Sequence, residues 1–530
     1  MGADMTAIRA GFDWRVPEDF SIPNAICDSW AAIDPARTAI IDRSDGQRRV
    51  WTYGDLKSTS DRLAGAFRAA GVRKGDRVAI LLPQCAEVMV THIAAMKCGA
   101  IVLPLFTLFG EDALSFRLND AGARLVVTDG QNLDKLMSVK PACPDLTHVI
   151  SLGGARGEVL DWSDAVRAKP AVPEPVGAED PAVLIYTSGT TGSPKGALHA
   201  HRFLIGHLPS VEMVLGRLPL PGDVGWTPAD WAWIGGLMDL AMPCLYFGVP
   251  LVAERLRKFT PEAAFQLIAE EGVTVSFLPP TALKMMRGAK VPSDARLRAI
   301  GSGGESLGAD LLAWGREQLG APINELYGQT ECNLVVSSAA DLGVLRPGTM
   351  GQAVPGHNVA ILDAAGMPVP NGTVGEICVK GPDPVMFLRY WNQPNKTEEK
   401  FIGPWLRTGD LGQRDSDGYL TYVSRDDDII TSAGYRIGPT EIENCLSGHE
   451  DVLNAAAVGL PDPVRTEVVT AFVVLREGVA GTSTLAEALA QRVRDRISPH
   501  VAPREVRFVE SLPMTATGKV MRRSLRDSSL

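Results

Sequence analysis

The sequence lacks the cysteine patterns of a metal site or a disulfide framework. Its eight cysteines are scattered along 530 residues, none forms a C-x-x-C pair, and none belongs to a Cys/His cluster with zinc-ligand spacing. Dispersed thiols in a long chain are typical of a reducing compartment. We therefore expect a cytoplasmic protein rather than a secreted, disulfide-bonded one.

Long hydrophobic runs and an excess of positive charge are also missing. The longest apolar stretch, Val88 to Phe106, is interrupted by His92 and Lys97, whereas a bilayer span needs about 20 mostly apolar residues. The N-terminus has no uninterrupted apolar run after a basic start, which argues against a signal peptide. The net charge is −10, while a nucleic-acid-binding protein normally presents a basic face. We therefore expect neither a membrane span nor a nucleic-acid partner.

Short aliphatic runs that alternate with helical patterns are what the sequence does contain. A helix is predicted over Ala86–Lys97, between two buried strands. This alternation predicts an α/β fold with parallel sheets whose faces are covered. The predicted strands of this part lie at 77–82, 100–105, 124–128, 183–187 and 273–278.

The length of the chain and a change in the pattern of its predicted elements indicate more than one domain. A chain of 530 residues exceeds one ordinary hydrophobic core. From about Asp363, short strands between Gly- and Pro-rich turns predict a β-rich subdomain. An α+β pattern follows an acidic run, so we predict a large N-terminal domain over 1–426 and a small C-terminal domain over 427–530. Its predicted elements are a helix at 439–447, strands at 452–459 and 468–475, a helix at 483–497 and a strand at 505–509.

The segment Tyr186–Gly196 is the strongest chemical signal. It follows a buried strand and combines three glycines, several hydroxyl residues and a lysine. Glycines let the backbone approach a polyphosphate with exposed N–H groups, and lysine adds charge. The segment does not match a Walker loop, and its simplest alternative is a surface turn. The predicted phosphate-binding residues are Thr187, Ser188, Gly189, Thr190, Thr191, Gly192 and Lys195.

This segment resembles the phosphate loop of the adenylate-forming superfamily, which includes acyl-CoA synthetases, luciferases and peptide-synthetase adenylation domains. The resemblance extends over nearly the whole chain and is strongest to medium-chain acyl-CoA synthetases. Several motifs in the family's order are far more specific than any one of them. The further matching segments are Ser302–Ser306, Glu325–Glu331, Arg407–Asp410, Ser432–Glu443 and Pro513–Arg522.

The resemblance implies an ATP site. An aromatic ring can stack on adenine, a hydroxyl can contact the α-phosphate, and a carboxylate can hold Mg²⁺ that bridges the phosphates. The family gives these roles to Tyr327, Thr330 and Glu331, and it gives the ribose to Asp410 and Arg425. The other nucleotide-binding residues that it implies are Gly304, Glu305, Ser306, Glu325, Gly328 and Gln329.

Each of these segments has a simpler explanation when it is taken alone. A glycine turn accounts for 302–306, and a turn aspartate with a surface arginine accounts for Asp410 and Arg425. The sequence also departs from the family at Ser424, where glycine is usual. This departure leaves the local turn geometry open.

The C-terminal motifs imply a mobile domain. The family rotates this domain between two poses, and Asp427 stands at its hinge position. In one pose Lys519 bridges the attacking carboxylate and the α-phosphate while charge builds in the transition state. In the other pose the loop around Gly434 leaves room for pantetheine. The implied CoA-binding residues are Ala433, Gly434, Tyr435, Arg436, Arg465 and Arg494, although exposed arginines are usually only solvated.

We therefore predict an AMP-forming acid–CoA ligase that uses ATP, Mg²⁺ and coenzyme A. It makes an acyl-AMP and then passes the acyl group to the CoA thiol. Short-acid members of the family carry tryptophan where Gly328 stands, so an open pocket for a medium-chain, branched or aromatic carboxylic acid is favoured. Trp231 and Trp233 fall where the family lines its acyl site, and they either floor an apolar pocket or belong to the core.

The main alternative is a stand-alone adenylation enzyme that loads an acyl or amino acid onto a carrier protein. A luciferase-like oxygenase and a non-enzymatic nucleotide-binding protein are more distant alternatives. The chain stops eleven residues after Lys519 without a carrier domain, which favours free CoA. Retention of Lys519, Glu331 and Asp410 favours an active enzyme. We also expect Lys519 to be a target for a lysine acetyltransferase and deacetylase, whereas a homodimer stays open.

Overall fold

The computed structural model describes the chain in ten ranges. They are 5–187, 194–254, 256, 258–305, 307–425, 428–432, 435–462, 466–499, 501–515 and 518–529. Of Thr6, Thr431, Tyr435 and Arg436 only the backbone is described.

The strands of the described residues are short, and the first part of the chain holds β1 (Thr38–Asp42), β2 (Arg49–Thr52), β3 (Arg77–Leu81), β4 (Ile101–Pro104), β5 (Ala123–Asp129), β6 (His148–Leu152), β7 (Leu160–Asp161), β8 (Pro181–Thr187), β9 (Lys195–Ala200), β10 (Gly225–Trp226), β11 (Leu251–Ala253), β12 (Val275–Phe277), β13 (Ala299–Gly303) and β14 (Ile323–Tyr327). The second part holds β15 (Val336–Ser337), β16 (Gly351–Ala353), β17 (Val359–Leu362), β18 (Gly375–Lys380), β19 (Arg389–Tyr390), β20 (Phe401–Ile402), β21 (Trp405–Arg414), β22 (Tyr419–Arg425), β23 (Ile430–Ser432), β24 (Tyr435–Ile437), β25 (Val452–Asp462), β26 (Thr466–Leu475) and β27 (Glu505–Phe508).

The α-helices of the same residues are α1 (Met5–Ala10), α2 (Ser29–Ile33), α3 (Tyr53–Ala69), α4 (Ala86–Lys97), α5 (Glu111–Ala121), α6 (Leu133–Val139), α7 (Trp162–Ala165), α8 (Phe203–Val214), α9 (Ile234–Gly236), α10 (Met242–Phe247), α11 (Pro261–Glu271), α12 (Pro280–Arg287), α13 (Ala309–Trp314), α14 (Pro394–Glu398), α15 (Pro439–Ser447), α16 (Ser483–Arg496) and α17 (Arg522–Asp527). Wider helical turns occur at Asn24–Asp28, Leu237–Ala241 and Gly315–Leu319, and tighter ones at Lys140–Ala142 and Ala340–Leu342.

The strands assemble into three sheets. One sheet has the order β19-β9-β8-β4-β3-β5-β6-β7, and its pairs from β8 to β7 are all parallel. The largest sheet runs β17-β18-β21-β22-β16-β15-β14-β13-β12-β10-β11-β1-β2, with β20 beside β21. The third sheet joins β24, β23, β26 and β25, with β27 parallel to β26. This is the mixed α/β architecture that the sequence predicts.

Burial decides whether a helix shows a polar face in the sequence. Helix α4 packs between layers and is buried along its whole length, so it shows no polar face. Helix α3 has a polar face instead, and it begins with a capping box in which Thr52 and Asp55 exchange hydrogen bonds. Each predicted strand and helix is confirmed, with ends shifted by at most three residues.

The β-rich part after Asp363 is continuous with the largest sheet. Strands β15 and β16 connect β22 to β14 by antiparallel pairs. The largest sheet is therefore parallel from β14 to β1 and antiparallel from β14 to β17, and the edge strand β2 pairs antiparallel with β1. This continuity brings the β21–β22 hairpin to the end of β14, which is where the candidate site lies.

The C-terminal segment has hydrophobic clusters of its own. Two clusters, one around Ile430, Leu446 and Val493 and one around Val458 and Leu525, contain only residues from 430 onward. The clusters of the preceding chain contain none of these residues. The predicted boundary residue Asp427 lies outside the described residues. No helix among the described residues is long and apolar enough to cross a membrane.

Candidate active site

A cavity of about 1110 Å³ lies where parallel strands of the two large sheets end. Strands β12, β13 and β14 are parallel neighbours, and the residues that follow β13 and β14 line this cavity. Strand β8 of the second sheet also ends at it, at Thr187. In open α/β sheets, ligands bind at the carboxyl ends of the strands. The C-terminal segment supplies the opposite wall through residues of α15 and α17 and the turn that carries Lys519.

A network of hydrogen bonds surrounds Asp410 on the N-terminal wall. Tyr327 Oη and Gln329 Nε2 both donate to Asp410 Oδ2, at 2.7 and 2.8 Å. Arg425 Nη1 lies 3.8 Å from the other carboxyl oxygen. The Asp410–Arg425 register of the β21–β22 hairpin sets this pair. The structure thus brings together the residues that the sequence assigns to the ribose and the adenine.

Lys400 belongs to the same network, although no sequence motif marks it. Its ammonium donates to Gln329 Oε1 at 3.2 Å and to the carbonyl oxygen of Arg407 at 2.9 Å. Gln329 in turn donates to the carbonyl oxygen of Thr408 at 2.8 Å. Lys400 therefore fixes the orientation of the Gln329 amide and adds positive charge beside the predicted nucleotide site.

Glu331 and Lys195 both contact Tyr390. The Tyr390 hydroxyl donates to Glu331 Oε1, and Lys195 Nζ lies 5.1 Å from the centre of the Tyr390 ring. Burial lowers the pKa of Lys195, and the nearby Glu331 carboxylate opposes this shift. Strand β19 places Tyr390 here by pairing with β9, so Tyr390 is a site residue that sequence reasoning missed.

The carboxyl group of Glu325 lines the cavity in an environment of low polarity. It is 8% exposed, and its Oε1 accepts a hydrogen bond from the Leu307 backbone N–H at 3.1 Å. Burial raises the pKa of Glu325 to about 8, because desolvation outweighs that hydrogen bond. Glu325 is therefore mostly uncharged near neutral pH in the absence of ligands.

Lys519 reaches the cavity on a closed turn. Its backbone N–H donates to Thr515 Oγ1 at 3.1 Å, and its carbonyl oxygen accepts from the Thr515 N–H at 2.8 Å. A small crevice beside this turn is lined by Lys519, Gly304, Glu305 and Trp233. A Cβ atom at Gly304, whose φ is +98°, would lie 3.8 Å from Lys519 Cε and 3.5 Å from the Trp233 ring. The structure thus brings the predicted catalytic lysine to the predicted adenine and acyl segments.

Ion pairs hold the Lys519 turn to the start of the C-terminal segment. Arg522 pairs with Glu443 at 2.7 Å and with Asp428 at 3.0 Å, and Arg526 pairs with Asp428 at 2.9 Å. Across the cavity, Lys284 lies 3.7 Å from Glu305 and donates to Asn454 at 3.1 Å. The Lys284–Asn454 contact joins the two walls.

Several predicted residues lie elsewhere or outside the description. Trp231 is 2% exposed in the central core and does not line the cavity, whereas Trp233 does. Arg494 is exposed on α16, where it donates to Gln491, and it does not line the cavity either. Tyr435 and Arg436 are placed by backbone alone, in β24. The predicted residues that lie outside the described ranges are Ser188, Gly189, Thr190, Thr191, Gly192, Ser306, Asp427, Ala433, Gly434 and Arg465.

Two glycine-related predictions need correction. Gly328 lines the cavity, but a Cβ atom there would lie 2.9 Å from both Cα and Oδ1 of Asn333. The space beside Gly328 is therefore occupied by Asn333 rather than left open. Ser424, where the family commonly has glycine, does not stand in a turn: it is buried within β22 opposite Leu411.

The chemistry of the donor set suits a nucleotide-bound magnesium ion. The described residues contain no group of three or more His, Cys, Asp or Glu side chains that could hold a metal by themselves. Mg²⁺ at ATP sites is usually held by one or two carboxylates together with phosphate oxygens and water. The Glu331 carboxylate at the cavity wall fits that arrangement.

Comparisons with known proteins agree with this geometry. Residues 27–391 match the sequence profile of the family described as AMP-binding enzyme, and residues 441–519 match the AMP-binding enzyme C-terminal domain. The chain is 34% identical over 489 residues to an acetyl-coenzyme A synthetase of Bacillus subtilis (strain 168), covering 90% of this chain and 84% of that protein. It is 31% identical over 533 residues to the mitochondrial acyl-coenzyme A synthetase ACSM4 of Rattus norvegicus, covering 97% and 91%.

Two solved structures are similar over nearly their whole length. The anthranilate CoA ligase AuaEII, in complex with anthranoyl-AMP, has a TM-score of 0.89 and 26% identity, covering 97% of this chain and 98% of that one. A benzoate CoA ligase from Burkholderia xenovorans LB400 has a TM-score of 0.86 and 29% identity, covering 96% of this chain and 100% of that one.

Proposed function

The chain belongs to the AMP-binding enzyme family, and we propose that it joins a carboxylic acid larger than acetate to coenzyme A in the cavity beside Lys519. It is an AMP-forming acid–CoA ligase, which makes an acyl-adenylate from the acid and ATP and then a thioester from the adenylate and coenzyme A. The observation that carries our assignment of the site is the convergence of Lys519, Glu331 and Asp410 on one cavity.

In the first half-reaction, a carboxylate oxygen of the acid attacks the α-phosphorus of ATP, and the bond to pyrophosphate breaks. Negative charge then builds on the α-phosphate, and fixed cations at that point lower the barrier. We assign Lys519 to the attacking carboxylate and the α-phosphate, and Lys195 to the polyphosphate. Thr330, which also lines the cavity, donates a hydrogen bond to the α-phosphate.

Asp410 and its network hold the nucleoside. Its Oδ1 is the carboxyl oxygen that Tyr327 and Gln329 do not bind, so it is the one that accepts the ribose hydroxyls. Arg425 stands at the same oxygen. Tyr327 presents its ring to the adenine while its hydroxyl is held by Asp410.

We propose that the Glu331 carboxylate would hold the Mg²⁺ ion that accompanies ATP. When bound, the ion neutralises phosphate charge. The Tyr390 hydroxyl fixes the orientation of the Glu331 carboxylate, and Lys195 Nζ lies 5.1 Å from the centre of the same ring, so the two residues that we assign to the phosphates and their metal contact one buried aromatic side chain.

In the second half-reaction, the CoA thiolate attacks the acyl carbon, and AMP leaves. We propose that the C-terminal domain, over 427–530, turns about Asp427 to present the loop around Gly434 for this step. The separate hydrophobic clusters of the C-terminal segment support a unit that moves without disrupting either core. Coenzyme A is then bound by Ala433, Gly434, Tyr435, Arg436 and Arg465, while Arg494 is a weaker candidate because its side chain is exposed away from the cavity.

Aromatic side chains at the acid end of the cavity favour an acid larger than acetate. Phe106 and Trp233 line the cavity, and the rings of Trp233 and Phe277 lie 5.5 Å apart. A cavity of about 1110 Å³ exceeds the usual 300–1,000 Å³ of a single-ligand pocket, as two substrates require. An apolar pocket gains about 1–3 kcal/mol for each methylene that it fills.

A screen of acids tests this proposal. Pyrophosphate release and thioester formation are measured with ATP, Mg²⁺ and CoA over linear, branched and aromatic acids of graded size. We expect kcat/KM for acetate to be at least about 10-fold below that for the best larger acid. An enzyme that uses acetate best would contradict the proposed acid class, and an enzyme that activates no acid would contradict the proposed reaction.

We also propose that Lys519 is controlled by acetylation. Its side chain is exposed, and acetylation removes the charge that the first half-reaction needs. Enzyme with acetyl-lysine incorporated at position 519 should lose pyrophosphate release and regain it after treatment with a deacetylase. Full pyrophosphate release by the acetylated enzyme would refute this control.

A further inference from the structure

Lys400 is held at the cavity wall in a way that a solvated lysine is not. It is half-buried between α14 and β20, and its side chain lines the cavity. Its ammonium donates to Gln329 Oε1 at 3.2 Å and to the carbonyl oxygens of Arg407 and Thr408 at 2.9 and 3.3 Å. An ammonium group has three protons, so each proton has one of these acceptors. No proton of Lys400 is left for a phosphate group.

The β20–β21 hairpin explains how Lys400 reaches Gln329. The two strands pair antiparallel, and the Arg407 N–H donates to the carbonyl oxygen of Lys400 at 2.7 Å. Lys400 therefore stands opposite Arg407, in the strand that leads to Asp410. Its ammonium joins this hairpin to the segment after β14, which carries Gln329.

The Gln329 amide is fixed on both of its sides. Its Nε2 donates to Asp410 Oδ2 and to the carbonyl oxygen of Thr408, both at 2.8 Å, which uses its two N–H groups. Its oxygen accepts from Lys400. If the amide turned over, its oxygen would face the Asp410 carboxylate and its N–H groups would face an ammonium. Lys400 therefore favours the one orientation in which Gln329 donates to Asp410.

The charge of Lys400 strengthens this arrangement. Among the residues that the structure describes, no carboxylate forms an ion pair with Lys400, and its three acceptors are neutral oxygens. A hydrogen bond from a charged donor polarises the amide that accepts it, which makes the Gln329 Nε2 group a better donor to Asp410 Oδ2. Asp410 Oδ1 is left for a ligand.

We propose that Lys400 is a positioning residue for the ribose of ATP. It holds Gln329 and Asp410 in the arrangement in which Asp410 Oδ1 accepts hydrogen bonds from the ribose hydroxyls. This rests on the proposed function, because it takes Asp410 to be the ribose contact. Loss of Lys400 therefore weakens the recognition of the ribose hydroxyls. A lysine that bound the phosphates would instead serve ATP and its deoxy analogues equally.

Nucleotides that lack one ribose hydroxyl provide the experiment. Pyrophosphate release is measured with ATP, 2′-deoxy-ATP and 3′-deoxy-ATP, together with Mg²⁺ and the best acid from the screen. Loss of a hydrogen bond to a charged group should lower kcat/KM, so wild type should prefer ATP to at least one analogue by about 10-fold or more. Lys400→Met keeps an unbranched chain without a donor. It should reduce this preference by about 3-fold or more, through a higher KM for ATP with kcat near wild type.

Further variants test the route through Gln329. In a Gln329→Leu background the amide is gone, so adding Lys400→Met should change the preference by less than about 2-fold. Lys396→Met is the matched control, because it removes a nearby positive charge that is exposed and pairs with Glu399 at 2.6 Å. It should leave the preference and the KM for ATP unchanged. Lys400→Gln, which is uncharged and shorter than lysine, gives the same test if the methionine variant does not fold.

The outcomes are distinguishable. Equal losses with ATP and both deoxy analogues would show that Lys400 serves the phosphates or the fold, and would overturn the inference. A wild type that uses all three nucleotides equally would also overturn it, while the ligase activity stands. An undiminished effect of Lys400→Met in the Gln329→Leu background would contradict the route through Gln329. If no acid releases pyrophosphate with ATP, the proposed function itself fails.

Discussion

The two walls of the cavity are built in different ways. On the N-terminal wall, Asp410, Tyr327 and Gln329 are joined by hydrogen bonds between side chains that the surrounding sheet holds in place. On the C-terminal wall, Lys519 is exposed on a turn that is closed by its own two hydrogen bonds to Thr515. The side chains of the N-terminal wall are held in place without a ligand. The position of Lys519 in the cavity depends instead on the position of the C-terminal segment.

This difference separates binding from chemistry. Fixed donors and acceptors stabilise a ligand without reorganising when it arrives, which suits the nucleoside binding that we propose for Asp410 and its network. A lysine carried by a unit with its own hydrophobic clusters can be brought in for one half-reaction and withdrawn for the other. Substitutions on the N-terminal wall should therefore impair every step that involves the nucleotide. Substitutions at Lys519 should impair only the first half-reaction, in which the acyl-AMP is made.

The largest effect on the N-terminal wall is expected at Glu331. Glu331→Gln keeps the shape of the side chain and removes the charge that we assign to the metal and phosphates. Loss of one transition-state electrostatic contact lowers the rate by about 10²–10³. The measurement is pyrophosphate release as a function of Mg²⁺ concentration. Tyr390→Phe, which removes only the hydrogen bond to Glu331, should have a smaller effect, and an unchanged rate for Glu331→Gln at limiting Mg²⁺ would remove it from this role.

A smaller effect is expected at Asp410. Asp410→Asn removes the charge while leaving an oxygen to accept from Tyr327 and Gln329. Hydrogen bonds to a charged group are worth about 1.5–3 kcal/mol, so ATP affinity should fall by about 10- to 100-fold. Direct binding of ATP measures this. The control is Asp415→Asn in the same hairpin, whose carboxylate pairs with exposed Arg346; equal losses in both variants would argue against a ribose contact.

The smallest effect concerns stability and pH. Because the pKa of Glu325 is raised to about 8 in the folded protein, its contribution to stability is present below its ordinary pKa near 4.5 and is lost as pH rises through 8. Glu325→Gln has no charge to bury, so its Tm should rise relative to wild type as pH increases from 5 to 8. Thermal unfolding at several pH values tests this, and a Tm difference independent of pH would show that Glu325 is not held uncharged.

The sequence predicts the frame of the site better than its fine structure. Short aliphatic strands are local features, so β3, β4, β5, β8 and β12 are predicted correctly. Tyr390 and Lys400 are not marked by any motif, because they reach the site only through the pairing of β19 with β9 and of β20 with β21.

The end of the cavity that we assign to the acid shows the same limit of prediction from local sequence. Gly328 predicts open space when it is considered as one residue, but whether the space is open depends on Asn333, which the fold brings back against it. Trp231 and Trp233 are equivalent in the sequence, and only the packing decides that Trp231 enters the core while Trp233 faces the cavity. Such outcomes depend on long-range packing rather than on local pattern.

The most direct test of the separation between the two walls is a paired assay of Lys519→Ala. The first assay supplies acid, ATP and Mg²⁺ and measures acyl-AMP and pyrophosphate; the second supplies synthetic acyl-AMP and CoA and measures the thioester. If Lys519 serves only the first half-reaction, the variant makes acyl-AMP at least about 10²-fold more slowly than wild type and forms the thioester at a rate near wild type. Equal slowing of both half-reactions would contradict the account and indicate a single fixed site.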